Sequence, residues 1–222
     1  MNFKKIVAPV AVSVAALFGA SSAQAAFILE IVGSTTTTIV DNGAGDAAGT
    51  AGAIAWLGFI DGYSISFASG TYADNPFNIH MTASVSGNGN AQNALTFRLT
   101  KTDIVAPAGL TTVNGGGSAY GIVPGGSYSW ASYIDASNAQ FGTGTLLASG
   151  AGFGSYTGAA TLDLSPQYSA TLISSFDFRN TSKTSMYTAS TDFGANVPEP
   201  TSIALVGLAL LGAGALSRRR SN

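Results

Sequence analysis

Along most of this chain apolar and polar residues alternate with a period of two. Phe77-Asn-Ile79-His-Met81-Thr-Ala83-Ser-Val85 places an apolar side chain at every second position, and Leu95-Thr-Phe97-Arg-Leu99-Thr does the same. Successive side chains of a strand point to opposite faces, so these runs predict half-buried antiparallel strands. Tyr63-Ser-Ile65-Ser-Phe67 and Leu162-Asp-Leu164 are shorter examples. Phe27 to Val32, Thr36 to Val40, Tyr128 to Ile134, Thr145 to Ala148 and Ala170 to Phe178 complete a set of about nine strands. No window between the chain ends shows a convincing helical period of 3.6.

Turn chemistry punctuates the runs at Asp41-Asn42-Gly43, Gly87-Asn88-Gly89-Asn90, Asn114-Gly115-Gly116-Gly117 and Pro124-Gly125-Gly126. Gly and Asn tolerate the positive φ of tight turns, so hairpins and loops are expected there. The strands and turns together predict an all-β fold: a single antiparallel β-sandwich or jelly-roll-like domain over residues 26–187. Residues 106–127 read as its most loop-like stretch, and residues 188–196 as a linker. No fixed-period repeat is present, which removes solenoids and propellers.

Both ends break the pattern. At the N-terminus, Lys4 and Lys5 precede an apolar run from Ile6 to Ala20, and Ala23-Gln24-Ala25 is a small-x-small cleavage signal. These are the three parts of a secretory signal peptide, an expected helix over residues 1–25 with cleavage after Ala25. At the C-terminus, Thr201 to Ser217 carries no charge and is mostly apolar. As a helix it spans about 26 Å, the short edge of what crosses a hydrocarbon core of about 30 Å. Ile203, Leu205, Val206, Leu208, Leu210 and Leu211 leave it no polar face, which favours a transmembrane helix over a buried amphipathic core helix. Pro198 and Pro200 are tolerated only at a helix start, and Arg218, Arg219 and Arg220 orient the segment with its C-terminus in the cytoplasm.

The order Val197-Pro198-Glu199-Pro200, short apolar helix and terminal arginine cluster, behind an N-terminal signal peptide, resembles the PEP-CTERM sorting signal of Gram-negative bacteria. The resemblance covers residues 197–222; the same segment is also catalogued as an ice-binding protein C-terminal domain. It implies that exosortase, an integral-membrane cysteine protease or transpeptidase, recognises Pro198, Glu199 and Pro200 and removes the tail at or near them. It also implies a transient inner-membrane anchor, then a place at the cell surface or in an exopolysaccharide-containing extracellular matrix.

Composition supports an exported domain. Charged residues make up 9% of the chain, with 28 glycines and no cysteine, so neither disulfides nor thiolate chemistry is available. Residues 26–200 hold four cations (Arg98, Lys101, Arg179 and Lys183) against eleven acids. That balance repels phosphate backbones and argues against nucleic acid as a partner.

Candidate chemistry is sparse. His80, the single histidine, falls on the polar face of its strand, and no G-x-S-x-G elbow accompanies it, so no catalytic residue is assigned. Gly152-Phe-Gly154-Ser-Tyr-Thr-Gly158 has the wrong spacing for a dinucleotide fingerprint and reads as a strand–loop passage. Asp41, Asp46, Asp61 and Asp74 lie near Gly or Asn in loops, where Ca²⁺ is the one ion they would suit, yet Asp41 to Asp46 resembles neither an EF-hand nor an RTX loop closely. No metal or other cofactor is therefore expected. The Thr35–Thr38 run alternates between two faces, as strand propensity alone explains, and does not make a flat ice-binding array. Trp56, Trp130 and the tyrosines suit a core better than a sugar-stacking platform. The expectation is a non-catalytic surface or matrix protein; a carbohydrate-binding module or a glycan-active hydrolase using scattered carboxylates are the alternatives.

Overall fold

The computed structural model describes residues 26–74, 77–87, 93–105, 110–122, 126–152, 154–163, 167–179 and 185–196. Twelve strands run through them: β1 Phe27–Val32, β2 Thr36–Val40, β3 Ala53–Ile60, β4 Tyr63–Asp74, β5 Phe77–Gly87, β6 Leu95–Val105, β7 Leu110–Ile122, β8 Ser127–Asp135, β9 Thr145–Ala151, β10 Gly154–Asp163, β11 Gln167–Asp177 and β12 Ser185–Asn196. They form two six-stranded sheets, ordered β2-β1-β6-β11-β8-β9 and β10-β7-β12-β5-β4-β3. Every pairing is antiparallel. The chain changes sheet between β2 and β3, again at each step from β5 to β8, and at each step from β9 to β12, so the expected sandwich is present.

Alternation decides what lies between the sheets. In the first sheet Phe27, Leu29 and Ile31 of β1, Leu95, Phe97 and Leu99 of β6, and Leu172 and Phe176 of β11 are buried, as are Ile54, Tyr63, Ile65, Ile79, Met81 and Val85 in the second. Aromatic edges lock this layer: Phe97 meets Phe176 at 5.6 Å and 89°, and Tyr128 lies 5.2 Å from Phe176. The Tyr63 hydroxyl donates to the Asn93 carbonyl and accepts from the Phe178 N–H. A buried phenol thus finds partners at one end of the layer.

The outer face of the first sheet is also partly covered. The β8–β9 connection, residues 136–144, lies across it. Ser169 donates to the Ala139 carbonyl at 2.6 Å, and the Phe141 N–H reaches Thr100 Oγ1 at 3.3 Å. Outward-facing Thr100, Ser169 and Thr171 are therefore fully buried. At the end of β6 the register slips against β11, and Asp103 takes a φ of 55°. Asn138 accepts the Asp103 N–H and returns its own amide to the Asp103 carboxylate. A bulge is thereby tied to the covering loop.

Three strands depart from the pattern expected of the sequence. β7 occupies most of residues 106–127, which read as loop. Its glycines serve packing: a Cβ on Gly115 would strike Ser132 and come within 3.3 Å of the Ala148 Cβ. There the absent side chain lets another strand approach, the second meaning glycine has in strands. Residues 188–196, expected as a linker, belong to β12, paired with β5 on one side and β7 on the other. Its small residues Ser, Thr, Ala and Gly carry little hydrophobic signal, and two flanking ladders supply the order instead. β3 is masked by a register slip opposite β4 between Trp56 and Gly58, which interrupts its alternation.

The two sheets come together where β9 meets β10. A Cβ on Gly158 would lie 2.8 Å from the Leu147 carbonyl oxygen and 2.9 Å from the Ala148 Cβ, so backbone has to move to admit it. Gly158→Ala is expected to destabilise the fold by about 1–3 kcal/mol, the usual cost of overpacking. Urea unfolding of the two proteins side by side measures it; an unchanged midpoint would mean that the edges are loosely apposed.

Candidate functional site

Registers place both ends of the domain at the same end of the sandwich. Phe27 lies opposite Lys101; in the second sheet Tyr72 is in line with Ile79, and Ile79 with Phe193. Lys101 and Tyr72 meet across the sheets, with the ammonium 4.3 Å from the ring centroid. Ala26 and Asn196, where the described chain begins and finishes, thus leave from one end.

That end contains a cleft of about 480 Å³ lined by Ala26, Phe27, Val40, Asp41, Asn42, Ala51, Tyr72 and Lys101. Its walls follow from strand geometry. Lys101 continues the inward series Leu95, Phe97 and Leu99, so the position just before the β6 bulge carries a cation at the rim of the core. Burial of its stem leaves it 4% exposed, with its charge over the Tyr72 face. Phe27 holds Tyr72 edge-on at 4.8 Å and 70°. The β2 turn supplies the polar wall: Asn42 takes a φ of 56°, and Asp41 accepts the Gly52 N–H at 2.8 Å and the Asn42 side-chain amide at 3.2 Å. At the lip, Ala26 donates its N–H to Thr102 Oγ1 at 2.9 Å.

The loop aspartates that suggested an ion bind backbone instead. Asp46 accepts N–H groups from Asn42, Ala48 and Ala55 at 2.9–3.0 Å. Burial pushes its carboxyl up, but those three donors outweigh it and hold the group below the ordinary value. Asp61 is lowered chiefly by the Ser34 hydroxyl, with help from the Ser34 N–H and Asn93. Asp74 closes β4, with its side chain outside the described set. Among the described residues no three His, Asp or Glu side chains gather where they could share a metal ion.

The other candidates are engaged in the fold. His80 is half-buried in β5, its Nε2 2.7 Å from Thr82 Oγ1, and the register sets Asp192 opposite it. Glu30 pairs with Arg98 at 2.9 Å, and that guanidinium stacks on Phe141 at 4.6 Å. Trp130 is a core residue, 3% exposed, and Trp56 packs against the core edge. Among the described residues, the exposed large apolar side chains are instead Leu57, Phe59 and Val105, with Val40 and Leu146 about half exposed. Ala23, Ala25, Pro198, Glu199, Pro200, Arg218, Arg219 and Arg220, with the helix expected over 201–217, lie outside the described residues. Within them, no helix is long and apolar enough to cross a membrane. Sequence reasoning did not find the cleft: Lys101 sits in an ordinary strand run, and only the sheet-to-sheet register brings it to Tyr72.

Residues 196–220 match the PEP-CTERM protein-sorting motif. The match starts at the last residue of β12, so the sorting segment follows a doubly paired strand directly. No curated protein matches the chain. A solved structure, TmCBM61 in complex with β-1,4-galactotriose, is similar at 10% identity with a TM-score of 0.32, over 77% of this chain and 88% of that one.

Two outcomes follow from the carboxylates. Asp46→Ala strands three N–H groups and is expected to cost about 1–3 kcal/mol in thermal or urea unfolding; a change within error would show that water replaces the carboxylate fully. Asp46, Asp61 and Asp177 all titrate below their ordinary value when folded, Asp177 mainly through the Arg179 side chain. The unfolded chain then binds more protons in acid. Their stabilisation is complete above an unfolded aspartate pKa of about 3.9 and is lost as pH falls through the lower folded values. Urea midpoints should be level from neutrality to about pH 5 and drop below about pH 4; a midpoint that stays level into stronger acid contradicts the assignment.

Proposed function

We propose that this protein is exported, held briefly in the inner membrane by residues 201–217, and released by exosortase to act at the cell surface or in the exopolysaccharide matrix as a non-catalytic binding or structural domain. The observation that carries the reading is the sorting motif at residues 196–220. Pro198, Glu199 and Pro200 are the recognition residues, Arg218 to Arg220 keep the tail on the cytoplasmic side, and the leader is cut after Ala25.

The fold is consistent with this route. An antiparallel sandwich with no cysteine needs no oxidant to fold after export. Both tethers leave from one end, so a single face of the domain is turned to the membrane while they hold. Asn196 is the last residue of β12, and two further residues reach at most about 7 Å even when fully extended. Exosortase therefore works close against the sandwich, without the long linker that residues 188–196 were expected to provide.

A carbohydrate-binding role is the second reading, supported by the cleft, whose volume is within the range of small-molecule sites. Its polar wall of Asp41 and Asn42 beside the Tyr72 ring suits a hydroxylated ligand.

Intact-mass analysis of the protein from cells with and without exosortase tests the route. With the enzyme, the mass is expected to correspond to a chain starting at Ala26 and lacking residues 201–222; without it, the C-terminal residues are retained. Retention in both strains, or loss in both, would overturn the proposal. Glu199→Ala in the wild-type strain should reproduce the enzyme-free mass.

A further inference from the structure

Two apolar side chains of one strand lie open to solvent. Leu57 is 67% and Phe59 82% exposed, and both belong to β3, the edge strand of the second sheet. Strand geometry turns them outward. Gly58 lies opposite buried Ile65, and a Cβ on it would strike the Trp56 ring, so Gly58 and Trp56 face the core while Leu57 and Phe59 face away from it. Phe59 lies opposite Ser64, and Ser64 opposite Ser86. A ring and two hydroxyl residues thus form one row across β3, β4 and β5, at about 4.8 Å per strand. The Ser86 hydroxyl donates to the Ser64 carbonyl at 3.4 Å, and that of Ser66, exposed at the β4 bulge, donates to the Ser84 carbonyl at 3.2 Å. Each oxygen keeps lone pairs that can accept from a ligand.

The surroundings select the occupant. A protein strand finds no continuous edge to pair with: Ala47 and Asp46 already take the Ala55 carbonyl and N–H, and the register slip between Trp56 and Gly58 interrupts the remainder. Two side chains also fall far short of the about 1,000 Å² that a specific protein interface buries. Charge favours a neutral ligand. β3, β4 and β5 contain no Lys, Arg or Glu, and their one acid, Asp74, closes β4 at its far end; the nearby turn residue Asp61 adds a carboxylate, held by Ser34 and Asn93. The row lies at the Tyr63 and Gly87 end of the sheet, where β12 starts at Ser185, opposite the end from which Ala26 and Asn196 leave. We propose that this row is a binding site for a neutral polysaccharide. One sugar ring lays its C–H face on Phe59 with Leu57 beside it, and its hydroxyls and those of the next ring donate to Ser66 and Ser86. The site faces outward from the tethered end, towards the matrix in which the domain is proposed to act, and it is separate from the cleft.

The protein purified from exporting cells is titrated by NMR with neutral oligosaccharides of glucose, galactose and mannose, and with oligogalacturonate. Resonances of Leu57, Phe59 and Ser64 are expected to shift with at least one neutral oligosaccharide and not with the acidic one. Phe59→Ala should weaken that binding about tenfold, the loss of one stacking contact, and Phe59→Trp should restore it. Because the Phe59 side chain is so exposed, the urea midpoint should not move in either variant. Val40→Arg, a bulky change at the cleft, should leave sugar binding unaltered. Failure of every neutral oligosaccharide to bind, equal binding of oligogalacturonate, or binding indifferent to Phe59→Ala overturns the inference. Binding lost in Val40→Arg and kept in Phe59→Ala would place the sugar in the cleft, which removes this site and leaves the carbohydrate reading intact. Sedimentation and flotation supply the remaining outcomes: Phe59-dependent self-association, or Phe59-dependent binding to vesicles of phosphatidylethanolamine and phosphatidylglycerol, in place of sugar binding would assign the patch to a second copy or to a membrane.

Discussion

The structure depends on one dry layer between two sheets. With no cysteine and few charged residues in the chain, there are no disulfides to constrain the unfolded state, and surface ion pairs such as Arg179 with Asp177 contribute little. What remains is apolar burial, at about 25 cal/mol per Å², from the inward series of β1, β4, β5, β6 and β11. Large rings at the centre, Phe97, Phe176 and Tyr128, make edge contacts in addition to burying area. The polar outer surface follows from the same alternation. Every inward residue brings an outward neighbour, and in this chain those neighbours are mostly hydroxyls.

Where the layer ends, polar groups take over the work of holding loops. Aspartates close the turns by accepting backbone N–H groups, as Asp46 does three times over. The covering loop between β8 and β9 is held by Arg98, Thr100, Asp103 and Ser169, and by positive φ at Asn138 and Phe141. Of the loop carboxylates, Asp41, Asp46 and Asp61 accept hydrogen bonds from the fold, and Trp130 is a core residue with Trp56 packed at the core edge. The cleft differs in kind, because it sets a buried-stem lysine, an aromatic face and an acidic turn around open space.

Long alternating runs made most of the fold legible. β1, β5, β6, β8 and β11 were readable because most of their inward positions carry apolar side chains, and β2 because it is a run of β-branched Thr, Ile and Val. β7 and β12 were not, since Gly115 to Gly117 and the Ser/Thr/Ala sequence of β12 have the composition of loops. Their order comes from neighbouring ladders, which local pattern does not encode. The sorting segment was legible because its signal is linear: two prolines, an acid, an apolar run and three arginines. The cleft was invisible for the opposite reason, as Ala26, Asp41, Tyr72 and Lys101 are separated in sequence and join only through register.

These features describe a compact cargo with its address attached directly to a central strand. The sandwich has no cysteine to oxidise, and Ala26 and Asn196 lie at one end of it. Location tests this account most directly: immunodetection of the domain on intact, unpermeabilised cells and in the medium, for the wild-type chain and for one truncated after Asn196. The account predicts wild-type protein on the surface or in the medium, and truncated protein that is exported but misdirected. Wild-type protein confined to the cytoplasm or permanently retained in the inner membrane would contradict it.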